Sequence, residues 1–464
     1  MFSLRKSHSR FRSETEGSMT VYGIFIFLTM GCLVGLTLDV ANAYKARSEI
    51  QVAADAAAHA ALLLRLKEGN NAAISKAVAV ANHNLSLTKA ASTTITASDI
   101  TFGQWDRDTR HFTPHATPVN AVRVMAGRTH DRNNSLGTIF LGMSGLDAWD
   151  INVATVMETY RPPCLREGFV ADQVVDIQSN NRFGAGFCVH SNDSIKINQN
   201  NVFEAGTIVS MPSLDDLQVS ASGFVKNDGL VDALRESFYK IRIINRITDI
   251  NDALRSANFT KLREMTAKTE TSMTGGIQYL TNSTTHSVDV GAKAGSGKDV
   301  LSPADLNANA VNIVSCSSKG RLDLEPGAVF SNLAILTDCA VDVRPGVTLK
   351  NMILSTTSTD TYSIQTPSGN SGGSINFGDD DGCEEGGGAH LVTLGGIKTA
   401  ANLNVYGSQF LAAKDIQFAA NADGLEGISL ISGGKIDSTS NIDVGFCGTG
   451  MGDNFEIDYF RLAL

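Results

Sequence analysis

Three patterns of apolar and polar residues follow one another along the chain. Residues 17–38 are predominantly apolar, with a few polar groups such as Tyr22, Thr29 and Thr37, and carry no charged side chain. At roughly 22 residues the run is long enough to cross a bilayer core of about 30 Å. Its Leu, Ile, Phe and Val residues favour insertion by about 0.3–0.6 kcal/mol each near mid-bilayer. From Asp39 one side turns polar, and residues 50–61 read IQVAADAAAHAA. Alanine is the strongest helix former, and neither Gly nor Pro interrupts residues 39–68. The spacing predicts one helix in two parts, a membrane span and a stalk, reaching about 75 Å. Gly69-Asn70-Asn71 stops it, and residues 72–87 restart at helical spacing with Ile74, Ala77, Val78, Ala81 and Leu85. A helical hairpin is expected.

From Thr93 the period becomes two. Strands are expected at residues 94–96, 100–105, 120–126 and 150–157, with a turn at 106–109, as a small antiparallel sheet packed on the helices over 91–160. Pro162-Pro163 marks its end. Beyond lie short β runs with Asn and Gly at the corners, for example 176–181, 194–203 and 216–219. Residues 322–333 (LDLEPGAVFSNL) align with 341–352 (VDVRPGVTLKNM) at an offset of about 19, within the range of solenoid repeats. Later runs near 403, 416, 428, 436 and 442 have similar spacing. Residues 161–464 are therefore read as a right-handed parallel β-helix. Residues about 228–272 are read as a helical insertion with Leu230, Leu234, Phe238, Ile241, Ile244 and Ile247 near one face, covering the solenoid. Residues 285–305 are expected as a polar loop. The fold class is mainly β, with an N-terminal transmembrane and stalk helix and a small α+β module before the solenoid.

Charge sets the direction of the anchor. Arg5, Lys6, Arg10 and Arg12 precede the apolar run, whereas Lys45 and Arg47 follow it among Asp39, Glu49 and Asp55. Basic residues stay on the cytoplasmic side, so residues 1–16 form a cytoplasmic tail and the bulk lies outside. In a bacterium that means a single-pass inner-membrane protein with a periplasmic C-terminal bulk. A cleaved signal peptide is the competitor, since Ala41-Asn42-Ala43 fits a cleavage site, but the apolar run exceeds the usual signal core. A prepilin site at Gly17 would have Tyr22 where type IV prepilins carry Glu.

With 464 residues, net charge −10 and pI about 5.4, the chain lacks the basic surface that nucleic acid requires. There are 43 glycines and 9 prolines, a composition suited to a β-solenoid. Cys32 sits in the membrane run as a small apolar residue. The other six cysteines favour disulfides in an oxidising compartment. Spacing leaves fifteen connectivities open, and sequential pairing is the chosen expectation: Cys164–Cys188, Cys316–Cys339, Cys383–Cys447. No CxxC or Cys/His cluster suggests zinc. Neither a catalytic constellation nor a cofactor or metal site is assigned.

Asp379-Asp380-Asp381-Gly382-Cys383-Glu384-Glu385 lacks the alternating ligand spacing of a calcium loop and is read as a solvated acidic turn. Gly295-Ser296-Gly297-Lys298-Asp299 departs from a phosphate loop at its first glycine and at Asp299. Asp55 and His59, four apart on the stalk, read as a surface pair. Asp39 reads as the membrane–water boundary, facing headgroups or a partner. Trp105 reads as sheet core.

Three stretches together carry a resemblance: Glu16-Gly17-Ser18-Met19-Thr20-Val21, Leu38-Asp39-Val40-Ala41-Asn42, and Gln51-Val52-Ala53-Ala54-Asp55-Ala56-Ala57. With Gly103-Gln104-Trp105-Asp106 and Asn120-Ala121-Val122-Arg123-Val124, they resemble TadG-like proteins of the tight-adherence (Flp pilus) assembly machinery over roughly residues 15–160. The Asp-x-Ser-x-Ser metal site of some members is absent. The resemblance implies a non-enzymatic, membrane-anchored component of pilus assembly whose solenoid docks partners. Its partners would be lipid at residues 17–38, other pilus-assembly proteins, and a second copy through the Ala-rich stalk. The alternative is an envelope polysaccharide lyase or hydrolase using the acidic turn.

Overall fold

The computed structural model describes residues 18–86, 93–116, 120–266, 277–290, 299–316, 320–367, 373–400, 403–419 and 424–464. The basic tail, Gly17 and residues 295–298 of the glycine loop lie outside these. The chain forms two compact units, one of residues 1–160 with Tyr459–Leu464, the other of Arg161–Asp458.

In the first unit, helix α1 spans Ser18–Glu68 without a break. Gly69 ends it in the left-handed conformation (φ +82°), donating its N–H to the Arg65 carbonyl at 3.1 Å. Helix α2, Asn70–Ser86, then folds back. Ala53, Ala57 and Ala61 of α1 are fully buried in one cluster with Ala73, Ala77 and Ala81 of α2. Small side chains on both helices permit that close approach. The expected hairpin is present.

Strands β1 (Ile100–Asp106), β2 (His111–Pro114) and β3 (Ala121–Arg128) precede a short hairpin, β4 (Leu136–Gly137) and β5 (Ala148–Trp149). Strand β6 (Ile151–Tyr160) follows. The antiparallel order is β2-β1-β3-β6-terminal strand, the last being Tyr459–Leu462. Residues 94–96 were expected as a strand. They lead instead into a 3₁₀ turn at Ala97–Asp99, because the Asp99 carboxylate takes the Thr96 N–H at 2.8 Å and stops extension. Ile100, Phe102, Val122, Val124 and Val153 share a core with α1 and α2, while Trp105, Phe112 and Val156 form a second cluster. Alternation at period two sends odd and even positions of β1 to these separate clusters. The solenoid was expected to run to residue 464. The last residues pair with β6 instead, and the buried Glu158 accepts bonds from Arg107 and Arg461 at 3.0 and 2.6 Å.

The second unit is a parallel β-solenoid of three-sided coils. One coil shows the plan: Gly168–Ala171, Val175–Ile177 and Arg182–Phe183 are its three sides. The next coil begins at Cys188, which pairs with Gly168, and the one after at Ile208, which pairs with Cys188. The sequence repeat is realised residue for residue. Leu322 stands beside Val341, Leu324 beside Val343, Phe330 beside Leu349 and Leu333 beside Met352. Inward residues such as Phe169, Val341, Leu354, Phe410 and Phe418 form one continuous core. Between Ser331 and Leu333, and between Lys350 and Met352, Asn332 and Asn351 turn the corner with positive φ (55° and 45°). Further round, Gly407 and Gly427 hold the equivalent place.

The coils do not stack in chain order. Gly168–Ala171, the first, pairs with Leu425–Ser432, near the last: Phe169 lies beside Leu430 and Val170 beside Ile431. The chain starts in the middle and winds to one end at Leu234–Glu236. It resumes at the opposite end with Thr285–Asp289 and winds back to the middle. The helical insertion is the connection between the two ends. It is not one amphipathic run: Leu230–Ala233 is a single helical turn and Leu234–Glu236 joins the sheet edge beside Val209. Phe238 is exposed. The open edge supplied backbone partners that a helix there would have forgone. Helix Ile247–Arg255 packs on strands Val311–Ser315 and Val329–Thr337, burying Ile247, Ile250 and Leu254. Residues 285–305, expected as a loop, contain strands Thr285–Asp289 and Asp299–Leu301, held in register by 311–315 and 322–324.

Candidate functional site

The structure offers an anchor, an arm fixed to a sheet, and an acidic loop on the solenoid. Along α1 the large apolar side chains from Met19 to Leu38 are exposed. Beyond Asp39 the helix changes character, and Ile50, Ala54, Ala58 and Leu62 are buried. Among the described residues one helix is long and apolar enough to cross a bilayer.

Asp39 is 2 % exposed. Its carboxylate accepts the N–H groups of Ile139, Phe140 and Leu141 at 2.7, 2.8 and 2.7 Å. Asp39 was expected to face headgroups or a partner; it is held by its own chain. One turn earlier on the same side, Gly35 is buried against Phe140, and a Cβ there would lie 2.5 Å from the ring. Residues 130–149 match neither the helical nor the period-two pattern, although Ile139-Phe140-Leu141-Gly142-Met143 between polar turns is a visible apolar signal.

Asp55 and His59 do not pair as a surface couple. Asp55 accepts from Gln51 Nε2 at 2.8 Å and from the buried Thr155 hydroxyl on β6 at 2.7 Å. His59 meets the edge of Phe460, with ring centroids 5.6 Å apart. Both side chains therefore fasten the arm to the sheet. The alanine stripe proposed for self-association is already buried against α2 and the sheet, so it presents no open face to a second copy. Trp105 lies in the sheet core.

On the solenoid the six cysteines join as Cys164–Cys188, Cys316–Cys339 and Cys383–Cys447. Cys32 is free and exposed in the apolar run. The bridge from Cys383 to Cys447 pins the acidic loop beside Tyr406 and Glu426. Within that loop Asp379 pairs with Lys350 at 3.1 Å, and Asp381 accepts the Glu384 N–H at 3.1 Å. Burial, then the charges of Asp380 and Glu426, hold the Tyr406 hydroxyl above its ordinary range. Cys383, Cys447 and Glu426 bring potential metal-ligating atoms within 4.8 Å of one another, but the two sulfurs are bonded to each other, so neither supplies a thiolate.

The second solenoid side carries an outward polar row. Lys196, Asp176, Asp437, Gln417, Lys398 and Gln365 stand in that order across adjacent strands. The first side is different: its outward residues Val170, His190, Ile353, Val392 and Ile431 are fully buried.

The family model described as Domain of unknown function (DUF7867) matches residues 168–448. That described as Flp pilus-assembly TadE/G-like matches residues 17–80. No curated protein and no solved structure matches the chain.

Proposed function

The chain belongs to the family described as Domain of unknown function (DUF7867), and from the TadE/G-like match at its N-terminus we propose a membrane-anchored structural component of Flp pilus assembly. The observation that carries this reading is the junction of two facts in one helix. The TadE/G-like match falls on residues 17–80, and the same helix exposes its large apolar side chains all round up to Leu38, whereas beyond Asp39 it buries one face, with Ile50, Ala54, Ala58 and Leu62. A lipid core covers the first part and folded protein the second.

The Arg and Lys residues before the span support a cytoplasmic N-terminus and a periplasmic bulk in this reading. Three disulfides accord with that oxidising side. The role is mechanical and non-enzymatic. Other assembly proteins dock on the solenoid's outward polar row, where Lys196 and Lys398 flank the adjacent carboxylates of Asp176 and Asp437 and would steer a complementary partner.

Alkaline-washed membranes should retain the full chain. Deleting the gene should remove surface fibres, and the full chain should restore them where one starting at Tyr44 does not. A freely soluble mature chain beginning at Tyr44 would overturn the anchor. Cleavage of acidic polysaccharide that is lost with Asp380→Ala would replace the mechanical role with the hydrolytic one.

A further inference from the structure

We propose that residues 138–147 are a membrane-interface wedge, entering the lipid leaflet that the anchor leaves at Asp39. The proposal rests on the anchor reading above and adds a second lipid contact to it. Four large apolar side chains of this ten-residue loop are uncovered: Met143 is 87 % exposed, Ile139 67 %, Leu146 55 % and Phe140 40 %. Single exposed apolar residues are ordinary, but a cluster of this kind marks a binding surface. Asp147 is its only charged residue.

Position identifies the occupant. Asp39 grips the loop by three N–H groups, and Phe140 lies on Gly35. Gly35 belongs to the uncharged run and sits four residues, about 6 Å of helix, to the membrane side of Asp39. The patch is thus continuous with the lipid-facing surface of the anchor. A soluble partner would have to cover a surface already abutting the bilayer.

The backbone is prepared for the same medium. An unsatisfied N–H is costly where water is scarce. At least seven of the loop's ten N–H groups donate within the loop or to Asp39. Thr138 bonds to the Asp147 carbonyl at 3.0 Å, Met143 to Phe140 at 3.2 Å, Gly145 to Gly142 at 3.1 Å and Leu146 to Leu141 at 3.1 Å. Asp39 takes the remaining three. The Thr138 hydroxyl is spent on the Leu146 carbonyl and that of Ser144 on Leu141. Most backbone N–H groups and both hydroxyls of the loop are bonded while its large apolar side chains stand uncovered, the reverse of a solvated loop.

The test uses the full chain with Cys32→Ser and Met143→Cys, labelled with an environment-sensitive fluorophore and reconstituted in phosphatidylcholine–phosphatidylglycerol vesicles. A matched chain carries Asp108→Cys, in the exposed β1–β2 turn. The label at 143 should be quenched several-fold more by lipid-borne nitroxide than that at 108, and several-fold less by aqueous iodide. Equal iodide access at the two positions would overturn the wedge. Protection at 143 from both quenchers would also overturn it, showing a protein cover. Flotation with the vesicles reads the anchor separately. A chain that floats with an aqueous label at 143 loses the wedge alone; a chain that does not float loses both.

Discussion

His190 illustrates how burial selects a protonation state. It is enclosed on the solenoid's first side, stacked on Tyr239 with centroids 4.0 Å apart. Nε2 lies 2.9 Å from the Asn192 Oδ1, which accepts only, so Nε2 carries the proton and Nδ1 accepts from the Ser210 hydroxyl at 2.8 Å. Burial lowers its pKa to about 4, opposed in part by the Asn192 bond. The unfolded chain binds this proton more readily below about pH 6.5. The stability contribution is therefore complete above pH 6.5 and lost as pH falls towards 4, by about 3 kcal/mol. Urea unfolding between pH 7 and 4 should show this slope, and His190→Gln should flatten it. The asparagines act without titrating. Ile442 N–H donates to Asn181 Oδ1, Asn181 N–H to Asn201 and Asn201 N–H to Asn227, each at 2.9 Å. Asn201→Ala would leave a buried N–H without its acceptor and should cost about 2–3 kcal/mol in thermal unfolding. Their identity as corner residues was legible in the sequence. That Asn181 joins residues 261 apart was not, because the ladder follows coil order rather than chain order.

Among the elements, α1 was readable because its signals are local: an uncharged run, an alanine run and a Gly-Asn-Asn stop. The fastening of its boundary was not. Asp39 has no partner within its own helix, and the N–H groups it accepts lie about a hundred residues away. Asp39→Ala should raise hydrogen–deuterium exchange at the amides of 139–141 by at least tenfold, equivalent to about 1.4 kcal/mol, while the α2 amides stay protected. The bridges differ by the chain they enclose. Cys383 and Cys447 are 64 residues apart, against 24 and 23 for the other two pairs. Loop-closure entropy then gives the long bridge about 4 kcal/mol and the short ones about 3. Paired Cys→Ser variants compared in guanidinium should show the larger loss for Cys383/Cys447. Equal losses would point to enthalpic strain or residual structure in the unfolded chain. The insertion was misread where period and edge conflict, since Leu230 and Leu234 match a helix but the free edge beside Val209 takes Leu234 as strand.

At the scale of the whole chain, the residues of the solenoid fall in sequence between β6 and the terminal strand, which pair directly with each other. Its first and last residues lie side by side, Arg161 bonding Asp458 at 3.0 Å, because its chain begins and ends at the middle coils. Stacked coils stabilise one another through neighbours, so the ends open first. Exchange should be slowest at 168–171 and 428–432 and fastest at 234–236 and 285–289. Uniform protection would mean the stack opens only as one unit. The sequence by itself determined the anchor's length, the helical hairpin, the stacked-coil repeat and its inward residues, since each depends on spacing along a few turns or one coil. Tertiary structure alone decided which coils are neighbours, what Asp39 holds, where Leu234 pairs and which sheet takes the last strand. Those outcomes depend on backbone groups finding partners far along the chain, and a backbone N–H or carbonyl is the same at every residue that carries one.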